Sequence, residues 1–217
     1  MPPLSINLEL KGRKALVVGA GKVGSRKLSY LLHSGAELIV VEPNPSDGLL
    51  KMAKKGRIDL QSRFSTRFLK DSPLVFVTVS TALSDDLLEE IKERDLWLNV
   101  ADRPEIGNFT LPAVLEDGPF RLAVSTGGNA PALAAKVSRS LRDRFKGYGA
   151  FARIMGAVRP FIVKSKLLPE RRAEIFRALA DNEDIPSYLA EERFDEALEL
   201  VARLIRPVKL PADFSLE

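Results

Sequence analysis

The stretch ALVVGAGKVGSRKLSYLLHSGA (residues 15–36) joins an apolar run to a glycine-rich loop and a helical pattern that ends at Gly35. Gly19, Gly21 and Gly24 form G-x-G-x-x-G between the predicted strand and the predicted helix, as in loops that bind a dinucleotide. Gly19 permits a tight turn, Gly21 lets the backbone approach a pyrophosphate, and Gly24 allows close contact between helix and sheet. The candidate cofactor-binding residues of this loop are Gly19, Gly21, Lys22, Val23 and Gly24.

The next apolar run, ELIVVEP (residues 37–43), predicts a strand that ends at Glu42, 18 residues after Gly24. A carboxylate there can bind the hydroxyls of the adenosine ribose, which favours NAD over NADP. Lys22 weighs against that preference. We add Glu42, Pro43 and Asn44 to the cofactor-binding candidates, and a glycine turn that binds nothing is the alternative interpretation.

Composition limits the chemistry available to this chain of 217 residues. It has no cysteine, which excludes disulfides and thiolate catalysis, and a single histidine, His33, which excludes a multi-histidine metal site within one subunit. No apolar run approaches the roughly 20 residues of a membrane helix, and no signal-peptide pattern opens the chain, so we expect a cytoplasmic protein that does not bind membranes. A net charge of +4 suits an acidic ligand, and no motif indicates nucleic-acid binding.

Strands and helices alternate through the first half of the chain, and the strands are apolar on both faces. This pattern predicts an α/β fold with a Rossmann-type parallel sheet covered on both sides. SINLEL (residues 5–10) predicts an additional edge strand. The predicted strands are residues 14–20, 37–43, 57–62, 73–80 and 96–102, and the predicted helices are residues 22–35, 46–56 and 84–95, the last capped by Ser84 or Asp85.

The alternation stops near residue 109. FTLPAVLEDGPFRLAVST (residues 109–126) predicts two strands joined at Asp117-Gly118, short and apolar enough to require a partner copy, and hence a homodimer. A helix is predicted from Pro131 to Phe145, and only helices beyond Gly147. The predicted domains are a Rossmann domain (1–111), a dimerisation segment (112–147), a C-terminal helical domain (148–207) and a loose tail (208–217).

Two segments supply further site candidates. Asp102 ends the predicted strand LWLNVAD, where ligands bind in open parallel sheets, and could act as a base or an electrostatic anchor; a turn or helix cap is the alternative. STGGNAP (residues 125–131) precedes a helix and could offer backbone donors to a carboxylate, although these residues alone favour the alternative of a loop, a cap and a solvated helix face. The substrate-binding candidates are Thr126, Gly127, Gly128, Asn129, Lys136 and Arg139.

Together these segments resemble the siroheme synthase family, and specifically its precorrin-2 dehydrogenase module. The similarity is carried by VGAGKVGSRK (residues 18–27), NVADRPEIGNFTLPA (residues 99–113) and AVSTGGNAPALA (residues 123–134). The resemblance implies NAD-dependent oxidation of precorrin-2, a polycarboxylate tetrapyrrole, to sirohydrochlorin during siroheme synthesis. It also implies a dimerisation segment and a C-terminal helical domain, and it adds weight to Asp102 and Thr126.

The chain departs from the family pattern in one place. After LVFVTV the family has T-[DN]-[DN], whereas this chain has STALSDD (residues 80–86), which leaves Ser80 and Thr81 as the cofactor-binding candidates there. Some family members also insert iron or cobalt into the product. Two alternatives therefore stand beside the dehydrogenase: a bifunctional enzyme that also chelates a metal, and a non-catalytic module that senses NAD.

Overall fold

The computed structural model describes residues 3–78, 83–94 and 96–208. The chain divides into two compact units, Met1–Leu111 and Pro112–Glu217. Each unit is described by itself. No helix in the described ranges has both the length and the apolar character that crossing a membrane requires.

The first unit is built on a parallel sheet of five strands with the order β3-β2-β1-β4-β5. Its strands are β1 (Lys14–Val18), β2 (Glu37–Val41), β3 (Asp59–Gln61), β4 (Leu74–Val77) and β5 (Trp97–Val100). Its helices are α1 (Lys22–Leu32), α2 (Asp47–Lys54) and α3 (Asp85–Glu93), with a short 3-10 helix at Thr66–Leu69. This order and direction of strands confirm the predicted Rossmann-type fold class.

Burial explains why the central strands carry no polar alternation. All four residues of β4 are buried, and Leu16 and Val18 of β1 pack into one apolar cluster while Ala15 and Val17 pack into a second. Because the side chains of a strand alternate between faces, each face of the sheet is covered by its own apolar layer. The parallel register of β1 with β4 pairs Val18 with Val77, so both strands end at the same edge.

Serine side chains cap two helices of this unit, and the cap at Ser84 was predicted. Ser46 caps α2 by accepting from the N–H of Leu49, and Ser84 caps α3 by accepting from the N–H of Leu87. The first helix, however, ends at Leu32 and not at Gly35. Ser34 and Gly35 already belong to the turn that leads into β2.

The predicted edge strand at residues 5–10 is wrong, since the described segment 3–10 contains no strand. Its alternating residues Leu4, Ile6 and Leu8 are exposed, and only Leu10 is buried. The outer edge of β5 is occupied by a later segment, because the N–H of Asn108 donates to the carbonyl of Leu98 at 2.9 Å. An apolar alternation predicts a strand only where an edge is open to receive it.

The second unit contains an antiparallel hairpin, β6 (Ala113–Asp117) and β7 (Phe120–Val124), followed only by helices. The two strands are confirmed, but Gly118 and Pro119 form their turn, because Asp117 pairs with Phe120. The helices are α4 (Pro131–Ser140), α5 (Tyr148–Lys164), α6 (Pro169–Ala180), α7 (Asp184–Ala190) and α8 (Phe194–Leu204). The fourth helix therefore ends before the predicted Phe145.

The hairpin is tied to the helices that follow it. The N–H of Gly149 donates to Asp117 Oδ2 at 2.8 Å, and the ring of Phe120 contacts those of Phe145 and Tyr148. The finer division into residues 112–147 and 148–207 stays a prediction, and residues 209–217 of the predicted tail lie outside the described residues.

Candidate nucleotide site

The glycine loop has the close contacts that its spacing predicts. Gly19 has a φ of +85°, and its N–H donates to the carbonyl of Val41 at 2.9 Å. A Cβ on Gly24 would collide with the carbonyl group of Gly19. The first turn of α1 therefore lies directly on the loop, and no other residue type fits at position 24 without displacing the backbone.

A buried hydroxyl group holds the carbonyl of Gly19 in this position. Thr78 is 5% exposed, and its Oγ1 donates to the carbonyl of Gly19 at 3.0 Å. Sequence reasoning missed Thr78 as a site residue, and the available signal was a hydroxyl at the end of a run of buried apolar residues. Ser80 and Thr81, which were predicted to bind the cofactor, lie outside the described residues.

The N-terminus of α1 is open towards solvent. Gly21 is its N-cap residue, no side chain caps the helix, and a Cβ at Gly21 would meet nothing within 4 Å. Lys22 and Val23 form the exposed first turn. The first N–H groups of a helix have no partner within it, and the helix dipole favours an anion there. These features fit a pyrophosphate group.

Glu42 connects β2 to the glycine loop. Its Oε2 accepts from the N–H of Ala20 at 2.7 Å and its Oε1 accepts from the N–H of Asn44 at 3.1 Å. An ionised carboxylate has about four acceptor sites, so each oxygen retains capacity for a ribose hydroxyl. The two backbone contacts orient the carboxylate towards the loop before any ligand arrives.

A pocket of about 280 Å³ lies beside these groups. It is lined by Val18, Gly19, Val41, Pro43, Ser62, Arg63 and Phe64. Sequence reasoning included Gly19 and Pro43 but missed the three residues that follow β3. They reach the pocket because β1, β2 and β3 are parallel and end at one edge, where ligands bind in such sheets.

Asp102 lies on the loop that leaves β5, at the same edge of the sheet as Gly19. It is exposed, and the N–H of the preceding Ala101 donates to the carbonyl of Val77 at 2.9 Å. Arg103 forms ion pairs with Asp85 at the start of α3 and with Glu105. The side chain of Asp102 is thus exposed to solvent. The neighbouring Ala101 is fixed by a backbone hydrogen bond, and Arg103 is fixed by its ion pairs.

Lys27 is half-buried on α1 and was not predicted to have a role. Its Nζ donates to Asn99 Oδ1 at 2.6 Å and lies 5.4 Å from the ring centre of Phe76. Burial, with a smaller contribution from the neighbouring Arg26, lowers the pKa of Lys27. The Arg26-Lys27 pair belongs to the segment that carries the family resemblance, but a lysine in a helix next to a glycine loop is usually solvated, so the contact with Asn99 was not predicted.

The predicted substrate segment belongs to the second unit and forms a capped loop. Thr126 Oγ1 accepts from the N–H of Ala130 at 3.0 Å, and Ser125 Oγ accepts from the N–H of Gly127 at 3.1 Å. The N–H of Asn129 donates to the carbonyl of Thr126 at 3.2 Å. The N–H groups of Gly127, Asn129 and Ala130 are therefore used inside the loop.

Lys136 and Arg139 are one turn apart on α4, and both are exposed. Neither forms an ion pair with a described residue. They are accessible to carboxylates from solvent, and their role in substrate binding stays a prediction.

Comparison with known proteins places these features in a family. A family model described as "Putative NAD(P)-binding" matches residues 6–113. A siroheme synthase of Methylobacillus flagellatus is 37% identical over 148 residues, which are 67% of this chain and 31% of the relative. A siroheme synthase of Tolumonas auensis is 32% identical over 210 residues, which are 93% of this chain and 43% of the relative.

The chain belongs to the siroheme synthase family. The match to the NAD(P)-binding model confirms the predicted class of cofactor. The chain spans less than half the length of these siroheme synthases. A solved structure titled "SirC, precorrin-2 dehydrogenase" shares the fold, with a TM-score of 0.72 and 24% identity over 93% of this chain and 100% of that one.

The predicted alternative of a bifunctional enzyme that also chelates a metal directs attention to the possible metal ligands of this chain. Within the described ranges, no group of three or more His, Cys, Asp or Glu side chains is arranged to hold a metal ion. His33 is exposed in the turn after α1, and its Nδ1 contacts the carbonyl of Ser29 at 2.8 Å.

Proposed function

We propose that this chain catalyses the NAD-dependent oxidation of precorrin-2 to sirohydrochlorin. The observation that carries the proposal is the convergence of the open N-terminus of α1, Glu42 and Asp102 at one edge of the sheet, in a member of the siroheme synthase family. Donors for a pyrophosphate, an acceptor for a ribose and an exposed carboxylate are what a dehydrogenase of this kind requires.

Different residues bind the two parts of the cofactor and accept the proton. The N–H groups of the first turn, at Lys22, Val23 and Gly24, bind the pyrophosphate, while Glu42 binds the adenosine ribose. When bound, NAD supplies the hydride acceptor. Asp102 takes the proton that leaves with the hydride, so precorrin-2 and NAD⁺ give sirohydrochlorin, NADH and one proton.

Glu42 supports NAD as the cofactor in preference to NADP. Its half-buried carboxylate is held in the loop by two backbone N–H groups. A 2′-phosphate beside it would place two anions in contact, which is unfavourable for binding.

The substrate proposal follows from charge. Precorrin-2 is a polycarboxylate, and Lys136 and Arg139 offer two exposed cations on one face of α4. Thr126, Gly127, Gly128 and Asn129 complete the proposed substrate-binding set. We further propose a cytoplasmic homodimer without nucleic-acid or membrane partners; a chain without cysteine needs no oxidising compartment.

The test is direct. The purified protein is incubated with precorrin-2 and NAD, and the absorbance of NADH is followed beside the matching spectral change of the tetrapyrrole. We expect one NADH per sirohydrochlorin formed, and much slower formation of NADPH when NADP replaces NAD. NADH formation no faster than in a protein-free control would overturn the proposal. Tight NAD binding without turnover would instead favour the sensing module.

A further inference from the structure

The loop that holds Asp102 is anchored along the outer edge of β5. Asn108 Oδ1 accepts from the N–H of Leu98 at 2.8 Å, and Asn108 Nδ2 donates to the carbonyl of Leu96 at 2.7 Å. The N–H of Asn108 in turn donates to the carbonyl of Leu98 at 2.9 Å. A Cβ on Gly107 would lie 2.8 Å from that same carbonyl oxygen, so the segment runs flush against the strand.

A second anchor passes through the interior. Asn99 is 7% exposed; its Nδ2 donates to the carbonyl of Phe109 at 3.0 Å, while its Oδ1 accepts from Lys27. The ring of Phe109 packs edge-on against Phe76, over which Lys27 also lies. One buried amide thus joins α1 to the end of the Asp102 loop.

The chemistry of the three groups fixes the amide in one orientation. An ammonium can only donate hydrogen bonds, and a backbone carbonyl can only accept them. A flipped Asn99 would face Lys27 with its NH₂ group and Phe109 with its carbonyl oxygen, which would lose both bonds. Lys27 and the carbonyl of Phe109 therefore require the same orientation of Asn99, with its NH₂ group towards Phe109.

We propose that Lys27 is a positioning residue that sets the place of Asp102 relative to the cofactor. Gly21, at the start of α1, meets the pyrophosphate, and Lys27 lies less than two turns further along the same helix. Any shift of α1 is transmitted through Lys27 and Asn99 to Phe109, at the end of the loop that holds Asp102. This inference rests on the proposed function for the role of Asp102, but the mechanical link does not.

The half-buried position of Lys27 imposes a cost on its charge. Burial lowers the pKa of Lys27, so the charged form is less favourable in the folded chain than in the unfolded one. Methionine has similar length and carries no charge. Lys27→Met removes the cost of burying a charge but leaves Asn99 Oδ1 without its donor, two effects of opposite sign on stability, so the melting temperature is measured beside the activity.

The experiment compares Lys27→Met with Lys27→Arg, which keeps a donor, and with Asn99→Asp, which keeps the acceptor but loses the donor to Phe109. Lys54→Met, an exposed lysine on α2, is the matched control. Turnover with precorrin-2, NAD affinity and hydrogen exchange of the amides of residues 107–109 are measured on each. A misplacement of about 1 Å costs roughly a hundredfold in rate, so we expect a tenfold to hundredfold loss of kcat in Lys27→Met and Asn99→Asp.

We expect NAD affinity within about twofold of wild type, faster exchange at Asn108 and Phe109, and partial rescue in Lys27→Arg. Unchanged exchange at residues 107–109 would overturn the proposal, as would unchanged kcat in Lys27→Met. If wild-type protein has no dehydrogenase activity, the proposed function fails, while hydrogen exchange still decides whether Lys27 holds the loop.

Discussion

Asp102 can be a base or a turn residue, and the two roles predict different behaviour of Asp102→Asn. If Asp102 accepts the proton, the amide loses basicity but keeps its size, and turnover should fall by at least about a hundredfold. NAD affinity should not change, because the phosphate and ribose contacts lie at Gly21 and Glu42. The melting temperature should move little, because Asp102 is exposed.

Single-turnover rate, NAD binding and thermal unfolding of this one variant separate the roles. A turn or cap residue would show the opposite pattern, with a loss of about 1 kcal/mol in stability and nearly normal turnover. That result would remove Asp102 from the catalytic mechanism.

Glu42 should govern both the affinity and the choice of cofactor. Glu42→Gln keeps one carbonyl oxygen for the N–H of Ala20 but replaces a charged acceptor with a neutral one. Hydrogen bonds to charged groups contribute about 1.5–3 kcal/mol, so NAD should bind roughly tenfold to a hundredfold more weakly. The ratio of NADP to NAD affinity should rise, because the repulsive charge is gone.

Titration calorimetry with both dinucleotides measures these changes. Glu37→Gln is the matched control, since Glu37 begins the same strand at its opposite end and is exposed. Equal effects of the two substitutions would show that Glu42 does not contact the cofactor.

Lys27 should also leave a signature in the pH dependence of stability. Between its lowered pKa and its ordinary value of 10.5, the unfolded chain binds more protons than the folded one. The contribution of Lys27 to the free energy of unfolding therefore rises with pH across that window. Urea unfolding of wild type and Lys27→Met at several alkaline pH values should show the difference shifting in favour of wild type; a constant difference would contradict the shift.

At the scale of an element, the first turn of α1 predicts opposite phenotypes for two glycines. Gly24→Ala forces a Cβ into the carbonyl group of Gly19, so we expect a loss of about 1–3 kcal/mol in stability together with loss of NAD binding. Gly21→Ala meets open space, so stability should be kept while the methyl group blocks the pyrophosphate. Thermal unfolding and NAD titration on both variants check this, and equal stability losses would mean that the loop contacts are misassigned.

Elements with a strong internal pattern could be predicted from sequence. The buried run of β4 and the serine cap of α3 follow from local chemistry. The failure at SINLEL shows the limit, because whether a strand forms there depends on a sheet edge that residues 108–109 already occupy. Likewise, the bond between Thr78 and Gly19 joins residues 59 positions apart, and the bond between Lys27 and Asn99 joins residues 72 positions apart. No local sequence pattern predicts such a pairing.

At the scale of the whole molecule, the predicted homodimer can be tested by measuring the mass of the protein in solution. In the described part of the chain, β6 and β7 pair only with each other, which leaves the outer edges of a two-stranded sheet for a partner copy. Sedimentation at micromolar concentration should give about 48 kDa, twice the chain mass of 23.9 kDa. A species of single-chain mass would contradict it.

The hydroxyl of Thr78 has a consequence for the order of folding events. Its bonds to the carbonyls of Val18 and Gly19 span 60 and 59 residues, so the glycine loop reaches its final form only after β4 has joined β1. The entropy of closing so long a loop is lost before the contact is gained. NAD should then recognise only the nearly native chain. It should slow unfolding and prolong the lifetime of the folded state, while the refolding rate stays the same with or without it.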